Sequence, residues 1–321
     1  MSLPSAVTSE AGGLLLDTGG ELPPEAAAKI EGRSTWQLAW GRLRKDRAAL
    51  ISAAIIVLIV LMAIFAPVFA SITGHGVNQQ FRTNGLNSFG QPVAPNGTFP
   101  LGTDDLGRDL LVRIAYGARI SLEVGVVATL LTVAIGAVLG LIAGYLGGIA
   151  DSIIARLVDV VLSLPFLLFA ISLVSVSHPG LTIVIIVIAV FGWAAVARIV
   201  RGQVLSIREK EYVEAARSLG ASSWRIMFID VLPNVLTQLI VYATLLIPVT
   251  IVLEATLSFL GLGIPPPTAD WGQMISESES VYQQAWWFLV FPGGALLILT
   301  LSFNILGDGI RDALDPRLER L

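Results

Sequence analysis

Apolar residues gather into six runs, at residues 48–70, 120–143, 153–176, 181–197, 234–260 and 285–306. The first of them covers ~34 Å at the helical rise, enough to cross a hydrocarbon core of about 30 Å. The run at 181–197 is the shortest. Two long polar stretches interrupt the pattern, 71–118 and a basic island at 198–233. This alternation predicts an all-α polytopic membrane protein with six transmembrane helices. Composition agrees: 55% of residues are hydrophobic, only 14% are charged, and mean hydropathy is +0.78. A soluble domain carries about 25% charged residues.

The runs divide the chain. Residues 1–33, rich in Ala, Gly, Glu and Pro, read as a flexible cytoplasmic tail. No basic segment leads into an apolar core there, so a cleaved signal peptide is not expected. Residues 34–47 place Trp36, Trp40, Leu43 and Arg47 at helical spacing, with Arg42, Arg44 and Lys45 between them. That pattern predicts an interfacial amphipathic helix; the plainer alternative is a positive flank that only sets topology. Next come the first transmembrane helix (48–70), an extracytoplasmic loop (71–118), a permease core (119–307) and a cytoplasmic C-terminus (308–321).

Charge placement gives the orientation. Sixteen of the 20 Lys and Arg residues fall on one side: six before the first span, Arg156, six in the island and three in the tail. Only Arg82, Arg108, Arg113 and Arg119 fall on the other. Positive residues mark the cytoplasmic side, so both termini and the island are expected inside.

Within the spans, Gly136, Gly140, Gly144 and Gly148 recur every four residues. Such a bare stripe predicts close approach of a second helix. Pro165 and Pro248 should kink or loosen the third and fifth spans, because each removes a backbone donor. Arg156 and Asp159, three residues apart, are expected to pair on one helix face.

The sequence holds no enzyme signature. Gly-x-Ser-x-Gly, His-Glu-x-x-His and the Gly-x-x-x-x-Gly-Lys phosphate loop are all absent. Cysteine is absent too, and the two histidines, His75 and His178, lie far apart in loops. No metal site, catalytic residue or nucleic-acid partner is expected. Any ATP and Mg used must be bound by other subunits.

The island carries the strongest pattern. Residues 209–219 should form a helix with Tyr212, Ala215, Ala216 and Leu219 on one stripe. Gly220 is placed to end it in a left-handed turn. Ser222 or Ser223 could then cap a second helix over 224–231. Small alanines and a glycine turn let a partner approach closely, while Glu214, Arg217 and Arg225 supply rim charges. As structure alone, this is a solvated hairpin.

Other segments add to the pattern. Leu101-Gly102-Thr103-Asp104-Asp105-Leu106-Gly107-Arg108-Asp109 leads into Gly117-Ala118-Arg119-Ile120-Ser121-Leu122, and Glu254-Ala255-Thr256-Leu257-Ser258-Phe259-Leu260-Gly261-Leu262-Gly263 precedes Pro265-Pro266 and Trp271-Gly272. The C-terminal region holds Trp286-Trp287, Pro292-Gly293, Asn304 and Gly307-Asp308-Gly309-Ile310-Arg311-Asp312. Together with Glu214-Ala215-Ala216, Gly220 and Leu232-Pro233, these resemble the C-type permease subunits of bacterial dipeptide, oligopeptide and nickel ABC importers. One departure is Asp230, where that family's loop has Ile.

The resemblance implies a type I ABC importer permease fold and half of a translocation pathway for peptides, with nickel or another small solute as the alternative. It implies a heterodimer with a second permease, two cytoplasmic ATPase subunits or domains that bind ATP and Mg, and an extracytoplasmic substrate-binding protein. It assigns ATPase coupling to Glu214, Ala215, Ala216, Arg217, Gly220, Ala221 and Trp224. Glu254 and Ser258, one turn apart, read either as a polar contact on the translocation path or gate, or as a helix-packing hydrogen bond. Asp104, Asp105, Arg108 and Asp109 are dense enough to predict a fixed network in the outer loop. A secondary transporter would need coupling residues clustered at mid-membrane, where only Glu254 is a candidate. An intramembrane enzyme lacks a nucleophile–base pair.

Overall fold

The computed structural model describes residues 35–177 and 179–314. The tail 1–33, His178 and the end of the C-terminal stretch lie outside the described residues. The described chain is helical, with only isolated bridges at Leu86–Pro92 and Thr103–Asp109. In order the helices are α1 (Thr35–Leu43), α2 (Arg47–Ile64), α3 (Ala66–Thr73), α4 (Leu110–Leu146), α5 (Gly148–Ser163), α6 (Phe166–Val176), α7 (Leu181–Ile207), α8 (Glu211–Ser218), α9 (Ser223–Arg225), α10 (Leu232–Phe259), α11 (Trp271–Ser278) and α12 (Trp286–Leu314).

Five helices are long and apolar enough to cross a membrane, and six spans result if the bent pair α5–α6 counts as one. That pair turns by 90° at Leu164-Pro165. The third expected span is therefore two helices, because Pro165 has no N–H to continue the ladder and disfavours helical backbone at Leu164.

Other boundaries shift for physical reasons. The first membrane helix ends at Ile64, not at 70. Pro67 cannot donate to the Ala63 carbonyl, and Arg119 does so instead, with Nε 2.5 Å from Ala63 O and Nη2 2.9 Å from Ile64 O. The outer loop ends at residue 109 rather than 118. Asp109 caps α4, accepting from Leu111 N at 2.9 Å. The first turns of α4 then bury Leu110, Val112, Arg113 and Ile114 in protein rather than lipid. Helix α7 likewise runs past 197 to Ile207, and so takes up the start of the island.

The expected pair of Arg156 and Asp159 does not form. Asp159 accepts from Arg198 Nη2 at 2.7 Å, and Asp151 accepts from Arg201 Nη2, also at 2.7 Å. Both arginines lie on α7, which runs beside α5 and reaches across to it.

Helix α4 is the central post. Three glycines of the stripe face α7: a Cβ on Gly136 would meet Val196 Cβ at 2.5 Å, one on Gly140 the Ala197 carbonyl at 2.6 Å, and one on Gly144 Val204 Cβ at 2.7 Å. Gly148 leaves the stripe; it opens α5 with φ +57° in open space. The close seam replaces hydrophobic drive, which lipid does not supply between helices. On its other side α4 takes α10 at Gly125, whose Cβ would lie 2.5 Å from Ile251 Cγ1.

Helix directions put the α7–α10 hairpin, the end of α4 and the end of α12 at one end of the bundle. Residues 74–109 and 260–285 form the opposite end. Trp287 Nε1 donates to the Thr103 carbonyl at 3.2 Å, and Trp271 Nε1 to the Ile114 carbonyl at 3.0 Å, locking that opposite module together.

Candidate functional site

The island folds as a hairpin rooted in the bundle. Arg208 Nη1 donates to the Gly144 carbonyl at 3.1 Å, fixing the end of α7 to the end of α4. Helix α8 has Glu211 and Glu214 in its first turn and Arg217 in its last, the arrangement the helix dipole favours. It stops at Gly220, whose φ of +81° is left-handed. There Gly220 N donates to Arg217 O at 3.0 Å and Ala221 N to Ala216 O at 3.1 Å, so the last carbonyls are paired. Ser222 Oγ accepts from Arg225 N at 3.4 Å and starts the next helix.

That second helix does not stop at 231. A π-helical turn over Ile226–Val231 carries it into α10, giving a continuous rod over Ser223–Phe259. Pro233 explains the turn: it lacks an N–H and crowds the carbonyl four residues back, and a wider turn absorbs both defects.

The base of the hairpin is apolar. Val213, Ile226, Met227 and Val231 are buried against Leu141, Tyr145, Val200 and Val204. The Arg217 guanidinium sits 5.8 Å from the Tyr145 ring centre. Ala216 and Ala221 are half-buried on this side. Glu214, Ala215, Arg217, Gly220 and Trp224 face outward. Leu219 is 87% and Trp224 60% exposed, and Trp224 stacks on Phe228 at 5.8 Å. Of the expected stripe, Tyr212, Ala215 and Leu219 point out, and the inward anchor is Val213. Large apolar side chains are thus held outward on an anchored base, with charged residues around them.

Glu254 and Ser258 lie together at the opposite end of α10. Ser258 Oγ donates to Glu254 Oε1 at 3.1 Å, and Ser121 Oγ to Oε2 at 3.3 Å. Glu254 is fully buried and Ser258 nearly so, between α10, α4 and the loop before α11. Within this chain they face protein. A separate cavity of about 310 Å³ opens at the α5–α6 break, lined by Thr132, Leu164, Phe166, Phe191 and Tyr242 among others.

The outer loop holds the network that its acidic cluster predicts, with members from further along the chain. Arg108 Nε pairs with Asp104 at 2.5 Å, and its Nη2 with Glu277 at 3.1 Å. Arg113 Nε lies 3.2 Å from Asp104 Oδ2. His75 Nδ1 bonds Asp109 Oδ2 at 2.5 Å and packs between Phe81 and Phe99. Glu277 carried no local signal, since its partner Arg108 lies 169 residues away. Burial pushes the Glu277 carboxyl up, opposed by the charges of Arg108 and Arg113. Burial, with the neighbouring Asp104 charge, pushes Asp105 up as well. Carboxylates of Asp104, Asp105 and Glu277 converge, but the positive charge among them belongs to two guanidinium groups, so the arrangement fits no metal ion.

These features define a polytopic bundle with an exposed hairpin at one end and a folded module at the other. Residues 136–320 match the model of the binding-protein-dependent transport system inner membrane component, and residues 34–88 that of the N-terminal TM domain of oligopeptide transport permease C. The chain belongs to this permease family. It is 43% identical over 287 residues to the oligopeptide transport system permease protein OppC of Bacillus subtilis, covering 89% of this chain and 91% of that one. It is 43% identical over 285 residues to the dipeptide permease DppC of the same organism, covering 88% and 86%. Escherichia coli OppC is 42% identical over 289 residues, covering 90% and 93%. A chain of the inward-facing MetNI methionine ABC transporter superposes with a TM-score of 0.51 at 22% identity, covering 63% of this chain and 96% of that one. That likeness supports the fold.

Proposed function

We propose that this chain forms half of the transmembrane pathway of an ATP-driven peptide importer, and that the α8–Gly220–α9 hairpin is the surface through which cytoplasmic ATPases move it. The observation that carries this reading is the hairpin: Leu219 and Trp224 are exposed at its tip while Val213, Ile226 and Met227 root it in the bundle. The excess of Lys and Arg at that end supports a cytoplasmic placement. Peptide as substrate is supported by the names of the OppC and DppC relatives. The partners are a second homologous permease completing the pathway, two ATPase subunits or domains supplying ATP and Mg sites, and an external binding protein delivering substrate to the opposite module. The apolar cavity at the α5–α6 break suits the pathway side of the bundle.

The chain has no cysteine, so a single engineered one reports without background. In the assembled transporter, Ala215→Cys should form a disulfide with a cysteine in the ATPase groove. Absence of that link in every nucleotide state, with the complex intact, contradicts the reading. Mass spectrometry of what the binding protein retains identifies the substrate, and peptides are the expected result.

A further inference from the structure

Glu254 and Asp270 present a problem that the hydrogen bonds above leave open. Both side chains are fully buried. Asp270 caps α11, its Oδ1 accepting from Gly272 N at 3.0 Å, yet its Oδ2 has no donor. Glu254 uses both oxygens as acceptors, for Ser258 and Ser121. The start of α11 against Ala255 sets the Asp270 carboxyl beside that of Glu254, with the Ser258 hydroxyl next to both. The backbones force this approach: a Cβ on Gly272 would lie 2.4 Å from the Ala255 carbonyl, so the start of α11 rests directly on α10. Two ionised carboxylates in a dry contact repel, and neither has a proton to give. A carboxylic acid beside a carboxylate has one, and it fills the orphan position on Asp270.

We propose that Glu254 and Asp270 hold one proton between them, and that this shared proton is the latch joining the outer helix α11 to the rod that ends in the coupling hairpin. The proton's bonds are balanced: one carboxyl keeps its O–H and donates it, and the other accepts as carboxylate. The rod is continuous from Ser223 to Phe259. A latch at its outer end therefore ties the face that meets the binding protein to the hairpin that meets the ATPases. This consequence rests on the coupling role proposed above; the shared proton does not.

The surroundings single out the pair. Arg113 of α4 is the charged group facing it, and Arg113 is itself paired with Asp104. Ser121 and Ser258 add hydroxyls from α4 and α10. The loop 260–269 and α12 up to Leu306 carry no titratable side chain. Burial pushes the Asp270 carboxyl up. An acid whose native pKa is raised makes the folded state bind more protons than the unfolded chain. The contact is therefore favoured at low pH and weakens as pH climbs from the ordinary carboxylate range towards the raised value.

The test uses the purified whole transporter in lipid nanodiscs. At neutral pH its infrared spectrum should contain the carbonyl band of a buried protonated carboxyl, and the band should vanish in Glu254→Gln, whose amide keeps a donor without a charge. Hydrogen-exchange protection of the α11 amides should fall about tenfold, equivalent to one pKa unit of lost interaction, when the wild type is taken to alkaline pH. Glu254→Gln should keep its protection there. No band lost in Glu254→Gln, or wild-type α11 protection that ignores pH, overturns the proposal. Should Glu254→Gln fail to assemble, the wild-type protection profile decides alone. A missing Ala215→Cys crosslink with the infrared band present would sink the coupling role and leave the shared proton standing.

Discussion

Arg113 and Asp104 form an ion pair of 3.2 Å in which neither side chain is exposed. Arg113 also donates to Asn78 Oδ1 at 3.3 Å and to the Pro267 carbonyl at 3.5 Å. One side chain on the first turn of α4 thus gathers both loops of the module opposite the hairpin. A buried pair contributes little over a well-packed apolar pair, but removing one partner strands the other charge.

Arg113→Met should therefore destabilise the protein by about 3–5 kcal/mol. Glu277→Gln should cost under about 1 kcal/mol, because burial already outweighs the attraction of its arginines and the carboxylate is partly exposed. Thermal unfolding in detergent, followed by tryptophan fluorescence, separates the two. Equal losses would mean that the knot does not distinguish its members.

The α4–α7 seam makes a second prediction. Gly140→Ala puts a methyl 2.6 Å from the Ala197 carbonyl and must push α4 away from α7 along their shared seam, so little folded protein should be recovered. Gly202→Ala, on the same α7 but with nothing within 4 Å, should be neutral or stabilising by up to about 1 kcal/mol through helix propensity. Yields and melting curves of the pair decide whether the glycines are there for contact.

How far the sequence carried this picture depends on the range of each signal. The Gly136–Gly140–Gly144 stripe, the left-handed Gly220 and a cap at Ser222 or Ser223 were legible because each is a local backbone requirement, and the structure puts the cap at Ser222. Their partners Val196, Val200 and Val204 were not, since periodicity names a face and not its neighbour. Hydropathy placed the start of α4 ten residues late: it read Arg113 and Arg119 as the edge of the membrane, whereas one pairs inside the outer module and the other closes the end of α2. Pro165 announced a break, but not its 90° angle, which a local backbone signal does not specify. Glu254 stood out as a carboxyl in an apolar run. Asp270, its neighbour in space, carried no such mark.

Orientation is open to a direct check. Ser222→Cys sits at the hairpin and Ser88→Cys in the opposite module, and both sites are exposed. In intact cells a membrane-impermeant thiol reagent should label Ser88→Cys and spare Ser222→Cys until the membrane is permeabilised. The reverse pattern would invert the topology and remove the ATPases from reach of the hairpin.

The coupling role itself is tested most directly at Gly220. Its φ of +81° strains any β-branched side chain, and nothing lies within 4 Å of where a Cβ would stand. Gly220→Val therefore perturbs the backbone turn alone, by about 1–3 kcal/mol, without a steric clash. The measurement is ATP hydrolysis by the reconstituted transporter with and without loaded binding protein, alongside uptake. Assembly should be normal and binding-protein affinity unchanged, while stimulation and uptake fall together by about tenfold or more, as a displacement worth over ~1.4 kcal/mol requires. Wild-type stimulation and uptake in an assembled Gly220→Val transporter would show the hairpin to be only a connector.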